Sequence, residues 1–145
     1  MKWVTWQNVG VDRIGCAWLI RRFIDPKAQF SFIPQGEKPS PKAGEPFDMP
    51  GVRFSHHGGH CSFHAIVREH KFEADPVLRR MARIIDEADT VQEANVEPSA
   101  IGLDLICTGI RLTSPDDQTA FDRGYIIYDA LYAAIEAETR QPAAD

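Results

Sequence analysis

All five histidines of the chain lie in one stretch, FSHHGGHCSFHAIVREH, at residues 54–70, together with Cys61. Imidazole is the commonest protein ligand for zinc, iron, nickel and copper, and it also performs acid–base chemistry near neutral pH. His60 and His64 are four residues apart, so on a helix they share a face and can bind one ion. His57 precedes two glycines, which allow it to fold back as a third ligand. We therefore predict a mononuclear metal site formed by His57, His60 and His64.

A carboxylate from a following helix is expected to complete this site. Asp89 or Asp86 supplies the oxygen ligand if the helix predicted over residues 75–90 packs across the histidines. Asp48 and Glu69 are further candidates, and no fixed spacing selects among the four carboxylates. We take Asp89 as the fourth ligand. The predicted cofactor is one transition-metal ion, which is zinc, iron, nickel or manganese.

The histidine cluster also has an interpretation without a metal. Its spacing, H-x2-H-C-x2-H, matches no structural zinc signature, and the HExxH motif is absent. The histidines could instead pack and hydrogen-bond at the start of a helix. If a metal is present, an open coordination position holding water would allow an enzyme that acts on a small anion. The sequence lacks GxSxG, Walker and GxGxxG motifs, which disfavours hydrolase, NTPase and dinucleotide chemistry.

The pair Asp12–Arg13 is a second candidate site, for an oxyanion. It follows a predicted strand and Gly10, where an arginine and the N–H groups of a helix start together favour anions. The alternative is that Asp12 is simply the N-cap of the first helix and that Arg13 lies on the surface. The residues alone leave both interpretations open.

Length and composition limit the class of protein. A chain of 145 residues with 43% hydrophobic and 26% charged residues predicts one globular domain over residues 1–145. The net charge of −5 argues against direct nucleic-acid binding. Three cysteines without a CxxC spacing favour a reducing compartment, and no stretch has the composition of a signal peptide or a membrane span. We expect a cytoplasmic protein that does not contact a membrane.

The pattern of the chain predicts an α+β fold with a small sheet of about three short strands and about five helices, helix-rich in the C-terminal half. Residues 35–50 follow Pro34 and contain four more prolines, which predicts a loop. A frayed tail is expected over 139–145. The expected strands are residues 2–7, 28–34 and 51–56, and the expected helices lie over 12–25, from about 61, over 75–90, from 97 to about 109, and over 114–140.

Several segments resemble one known family when they are taken together. They are DRIGCAWLIRRFID, an F-x-H-x-G-G-x-C-S-F pattern, IIDEADT, SAIGLDLICTGI and YDALYA, and they occur here in the family's order and spacing. The chain resembles the C-terminal domain of chromate-resistance proteins of the ChrB type. The resemblance extends from Trp3 to about Ala134.

The resemblance implies a bacterial protein linked to chromate resistance, acting as a sensor or an accessory protein. A small inorganic anion or a metal ion is the implied partner. Longer relatives carry an N-terminal domain thought to bind DNA. We expect this chain to lack that region, so the resemblance does not imply a transcriptional role. The family commonly has Glu after C-S/T-F, and this chain has His64, which changes the ligand type. Apolar residues on the last helix could belong either to the core or to the interface of a homodimer. The overall prediction is a metal-binding domain that responds to chromate or oxyanion stress.

Overall fold

The computed structural model describes residues 1–140 and confirms the predicted α+β class. The strands are β1 (Lys2–Trp6), β2 (Gln29–Ile33) and β3 (Glu45–Pro46), and the helices are α1 (Val11–Leu19), α2 (Ser62–Glu69), α3 (Pro76–Asp89), α4 (Ser99–Thr113) and α5 (Asp117–Arg140). The three strands form one sheet of order β2-β1-β3, and both pairs of neighbouring strands are parallel. A π-helical turn at Ile20–Ile24 extends α1.

The sheet begins with a β1–α1–β2 unit. Apolar and polar residues alternate in both strands, and their register pairs Trp3 with Phe30. Parallel strands need a crossover connection, which α1 and the π-helical turn provide. The ring of Trp3 packs edge-on against that of Phe47, with centroids 6.3 Å apart. This aromatic layer fixes the loop before α2 to the sheet.

The third strand is not where the sequence predicts it. Residues 51–56 form no strand, and Phe54 contributes only an isolated bridge. β3 lies instead inside the predicted loop over 35–50 and pairs with β1. Gly44 makes this approach possible, because a Cβ there would lie 2.3 Å from the carbonyl oxygen of Lys2. Its φ of +120° also favours glycine.

The final helix ends at Arg140, as predicted, and overlaps the expected tail. α5 continues to Arg140, so the predicted frayed tail over 139–145 begins inside a helix. Glu136 and Arg140 form an ion pair of 3.4 Å one turn apart, and the Thr139 hydroxyl donates to a carbonyl one turn earlier. These local interactions extend the helix. The rest of the predicted tail lies outside the described residues.

Close packing of α1 against α5 positions the candidate site. A Cβ on Gly124 of α5 would lie 2.3 Å from Cγ2 of Ile14, so glycine sets the distance between the two helices. Trp18 of α1 is fully buried and donates an Nε1–H hydrogen bond of 2.8 Å to Asp129. α1 is therefore a rigid support for its N-terminal residues. Within the described residues, no helix has the length and apolar character needed to cross a bilayer.

Candidate metal centres

Two buried aspartates, from α1 and α3, converge on the N-terminus of α2. The Asp12 carboxylate accepts the backbone N–H of Ser62 at 2.8 Å and that of Phe63 at 2.9 Å. The Asp86 carboxylate accepts the backbone N–H of Cys61 at 2.8 Å. The first N–H groups of a helix have no partner within the helix and attract negative charge. Both aspartates are therefore held in place by the fold.

Asp12 does not cap its own helix, which corrects one interpretation of the sequence. α1 begins at Val11 with Gly10 as its N-cap, and Asp12 is only 2% exposed. Its side chain points to α2, fifty residues later in the chain. Burial, followed by the charge of Asp48, raises the pKa of Asp12, while its hydrogen bonds act in the opposite direction.

Three carboxylates surround the imidazole of His56. Its Nε2 lies 3.2 Å from Oδ2 of Asp12, 3.1 Å from Oδ2 of Asp89 and 3.9 Å from Oδ1 of Asp48. The hydrogen bond with Asp12 is the main cause that raises the pKa of His56 to about 9. Burial and then the charge of Asp12 raise the pKa of Asp89 to about 6. We call His56, Asp12, Asp89 and Asp48 the His56 centre.

Asp48 is fixed in the His56 centre by its neighbours. Ser62 Oγ donates to Asp48 Oδ1 at 2.7 Å, and Arg13 Nε lies 2.9 Å from Asp48 Oδ2. Arg13 also donates to the backbone carbonyls of Trp6, Gln7 and Asp48 at 3.1–3.2 Å. Oxyanion binding by Asp12 and Arg13 remains a prediction that this geometry does not favour, because protein acceptors already occupy most of the guanidinium.

His60, His64 and Asp86 form a separate group whose ligand atoms all lie within 4.8 Å of one another. The two imidazoles are stacked, with centroids 3.9 Å apart and an angle of 16° between their planes. His60 Nδ1 lies 2.8 Å from Asp86 Oδ2. Burial is the first cause that lowers the pKa of His64, followed by the charge of His60. We call this group the His60 centre.

The ligands predicted from the sequence are thus divided between two groups. His60 and His64 come together as predicted, with Asp86 as their carboxylate, whereas Asp89 lies beside His56. His57 belongs to neither group of residues 1–140, and its Nε2 lies 3.0 Å from the carbonyl oxygen of Arg53. Metal binding by any of these residues remains a prediction.

A tight turn explains the position of His57. The backbones of His57 and His60 exchange two hydrogen bonds, of 3.2 and 3.0 Å. Gly58 and Gly59 between them have φ values of +58° and +81°. This is the geometry of a two-residue hairpin, for which glycine is well suited. The glycines do fold the chain back, but they bring the His57 side chain to the backbone of the preceding loop.

His56 is the site residue that reasoning from histidine spacing missed. Its ligand-like neighbours come from α1, from the loop before α2 and from α3, so no local spacing in the sequence reveals them. One signal was available: His56 is the histidine of the F-x-H-x-G-G-x-C-S-F pattern.

A cavity borders each centre. One of about 450 Å³ is lined by His56 and Asp48 together with Trp6, Arg13 and Met49, among others. A larger one, of about 840 Å³, is lined by His60, His64 and Asp86 and by charged side chains of both signs. Ligand pockets for small molecules fall in this size range. A small molecule therefore has room to approach either centre.

Comparison with known proteins assigns the family. Residues 3–135 match the family model described as the ChrB C-terminal domain. The chain belongs to the chromate-resistance family of ChrB C-terminal domains. It is 34% identical over 131 residues to Protein ChrB of Cupriavidus metallidurans, an alignment that covers 90% of this chain and 40% of that protein. The chain thus spans less than half the length of this curated relative. No solved structure matches it significantly.

Three of the five segments that carry the ChrB resemblance contribute a side chain to the His56 centre. Asp12 comes from DRIGCAWLIRRFID, His56 from F-x-H-x-G-G-x-C-S-F and Asp89 from IIDEADT. These segments are separated along the chain, yet one side-chain atom of each lies within 4.8 Å of the others. Three family-typical segments therefore contribute to a single group of side chains.

Proposed function

We propose that this ChrB-family domain binds a divalent metal ion at the His56 centre and acts as an accessory or sensor module in chromate resistance. The observation that carries the proposal is the convergence of Asp12, His56 and Asp89 from three family-typical segments. An imidazole and carboxylates that meet at one point form a donor set typical of divalent metal sites.

The spacing of the ligand atoms suits a metal polyhedron. In an octahedral site with metal–ligand distances of about 2.1 Å, neighbouring ligand atoms lie about 3.0 Å apart. His56 Nε2 lies 3.2 and 3.1 Å from the nearest oxygens of Asp12 and Asp89. Asp48, at 3.9 Å, could close on the ion with a small movement. Little rearrangement is needed to replace the shared proton by an ion.

The charges also favour a cation. Three carboxylates face one imidazole, and Arg13 neutralises only Asp48. With His56 protonated, one negative charge remains uncompensated. Burial, and then the charge of Asp12, raises the pKa of Asp89. A divalent ion that displaces the His56 proton leaves the centre nearly neutral. Because oxygen ligands predominate, manganese(II) or iron(II) suits the site better than copper or zinc.

A metal at the His56 centre would join three parts of the fold. Asp12 lies on α1, Asp89 ends α3, and His56 lies in the loop that leads into α2. The His56 side chain is 50% exposed, so an ion there can exchange with solution. Occupancy would then control how firmly the loop is held against both helices. This coupling between a ligand and local order is what a sensor requires.

The cavity beside His56 favours a second function at the same site. An ion with an open position toward this space of about 450 Å³ could activate water against a small anion. Steady turnover that requires the metal would favour such an enzyme over a sensor. Stoichiometric binding without turnover of small anionic esters or anhydrides would favour the sensor.

The metal content of the protein tests the proposal. We expect about one equivalent of manganese(II), measured from the loss of the free-ion electron paramagnetic resonance signal, in protein made without a histidine tag. H56A and D89N should each lose it. H57A is the matched control, since His57 is adjacent but lies against the carbonyl of Arg53, and it should keep the ion. Retention of manganese by H56A, or no binding of manganese or iron by the unmodified chain, would contradict the proposal.

The cellular role needs its own experiment. Chromate tolerance should fall in a bacterial host that produces H56A instead of the unmodified chain, while H57A should behave like the unmodified chain. Equal tolerance with all three chains would separate metal binding from chromate resistance and contradict the proposed role.

A further inference from the structure

The His60 centre is a second group of metal-ligating side chains, which the proposed function does not use. Its ligands are two imidazoles and one carboxylate, all within 4.8 Å of one another. His60 comes from the turn before α2, His64 from the first turns of α2, and Asp86 from α3. The stacked imidazoles, with centroids 3.9 Å apart, present their edges together.

Asp86 is already held in the position that a ligand needs. Its side chain is 7% exposed, and Oδ1 accepts the N–H of Cys61 at 2.8 Å while Oδ2 lies 2.8 Å from His60 Nδ1. The backbone of His60 is fixed in turn by its two hydrogen bonds with His57. Ligands held by surrounding hydrogen bonds lose little freedom when an ion binds.

We propose that His60, His64 and Asp86 bind a second divalent ion, of the zinc class, independently of the ion at the His56 centre. Two imidazoles and one carboxylate form a borderline donor set, which suits zinc, nickel or iron better than the harder ions. Catalytic zinc sites use three protein ligands of these types and keep one position open. The His56 centre has the opposite balance, with carboxylates predominating.

The cavity of about 840 Å³ gives this ion access to solution. His60 is 40% exposed, so the ion's remaining positions would face the cavity. Arginines on the lining include Arg68 and Arg79, and acids include Glu73 and Glu93. Because charges of both signs line the cavity, a cation is not strongly repelled. Its remaining coordination positions stay open to solution. Zinc bound here should therefore exchange and accept a small exogenous ligand.

A simpler interpretation needs no ion. His60 donates to Asp86, the imidazoles stack, and together they stabilise the turn before α2. In that case zinc has no reason to select these two histidines over the others. The two interpretations differ in which imidazole nitrogens respond to the metal.

Imidazole nitrogen NMR spectra distinguish these two interpretations. The unmodified chain is first freed of metals and then titrated with zinc chloride. We expect the resonances of His60 and His64 to shift and saturate at one equivalent, while those of His57 stay unchanged. The H56A chain should give the same result, so loss of the His56 centre does not affect this test. Shifts at His56 alone, or at none of the histidines, would overturn the proposal.

Substitution provides a second measurement. The double variant H60A/H64A should bind zinc at least about tenfold more weakly than the unmodified chain, since even supporting residues of metal sites affect affinity by that factor. H57A serves as the control and should keep the affinity. Zinc affinity that the double variant retains would remove the ligand assignment.

Discussion

The carboxylate of Asp12 accepts the backbone N–H of Ser62 across fifty residues of chain, at 2.8 Å. One side chain of α1 therefore caps α2 and at the same time contacts His56. The start of α2 and the geometry of the His56 centre depend on the same buried charge. The fold and the proposed metal site therefore depend on the same residue.

Replacing Asp12 by alanine should destabilise the metal-free domain by about 3–5 kcal/mol. The substitution leaves the buried N–H groups of Ser62 and Phe63 without an acceptor and removes one of the carboxylates that contact His56. Urea unfolding followed by circular dichroism measures the difference. D117A is the matched control, because Asp117 also accepts backbone N–H groups, at Asn8 and Val9, but is only half-buried.

The control should cost about 1 kcal/mol, the usual net value of a hydrogen bond. Equal losses in D12A and D117A would mean that burial and the contact with His56 add nothing to the role of Asp12.

Stability of the metal-free domain should fall as the pH rises from 6.5 to 9. The folded state raises the pKa of His56 from 6.5 to about 9. A raised pKa means that the folded state holds its proton more tightly, so the stabilisation is complete below 6.5 and is lost as the pH passes through 9. Unfolding in urea at a series of pH values checks this.

H56A should flatten the pH dependence between 6.5 and 9, and H57A should not. Metal binding should have the opposite dependence and strengthen toward high pH, because the ion competes with the His56 proton. A pH profile identical in H56A and the unmodified chain would exclude the contact with Asp12 as its cause.

Replacing each of two helical glycines by alanine should change the stability of the domain in opposite directions. G124A should destabilise the domain by about 1–3 kcal/mol, because its Cβ would lie 2.3 Å from Cγ2 of Ile14. G109A, in α4, should stabilise it by about 0.5–1 kcal/mol, since no atom lies within 4 Å of its Cβ and alanine favours the helix. Thermal unfolding of both variants measures the pair. A destabilised G109A would show that helix propensity does not decide the outcome there.

The sequence predicts the local features of this domain well. The pairing of His60 with His64 follows from their spacing at the start of a helix. The helix predicted over 75–90 likewise matches α3, which begins at Pro76 and whose N-cap, Asp75, accepts the N–H of Val77 at 2.8 Å. Each of these signals depends on residues within one turn of each other.

The contacts that build the centres are distant in the chain and escape such reasoning. Asp86 and Asp89 are three residues apart on α3, and only the packing of α3 assigns one to His60 and the other to His56. β3 has two residues and depends on Gly44 approaching Lys2, so its alternating pattern is too short to detect. These contacts are set by the topology of the fold, and the periodicity of the sequence does not reveal them.

The chain's departure from the family pattern at His64 leads to a final prediction. Glutamate, the residue expected there from the family resemblance, would convert the His60 centre from two imidazoles and one carboxylate to one imidazole and two carboxylates. H64E should therefore lower the zinc affinity relative to the manganese affinity of this centre, since harder ligands favour the harder ion. Competition titrations of zinc and manganese in the H56A background, where the His56 centre is disabled, measure the ratio of the two affinities.

H64Q is the control for loss of the imidazole without added charge. It should weaken zinc without gaining manganese, and an unchanged ratio in H64E would place the zinc ion away from His64.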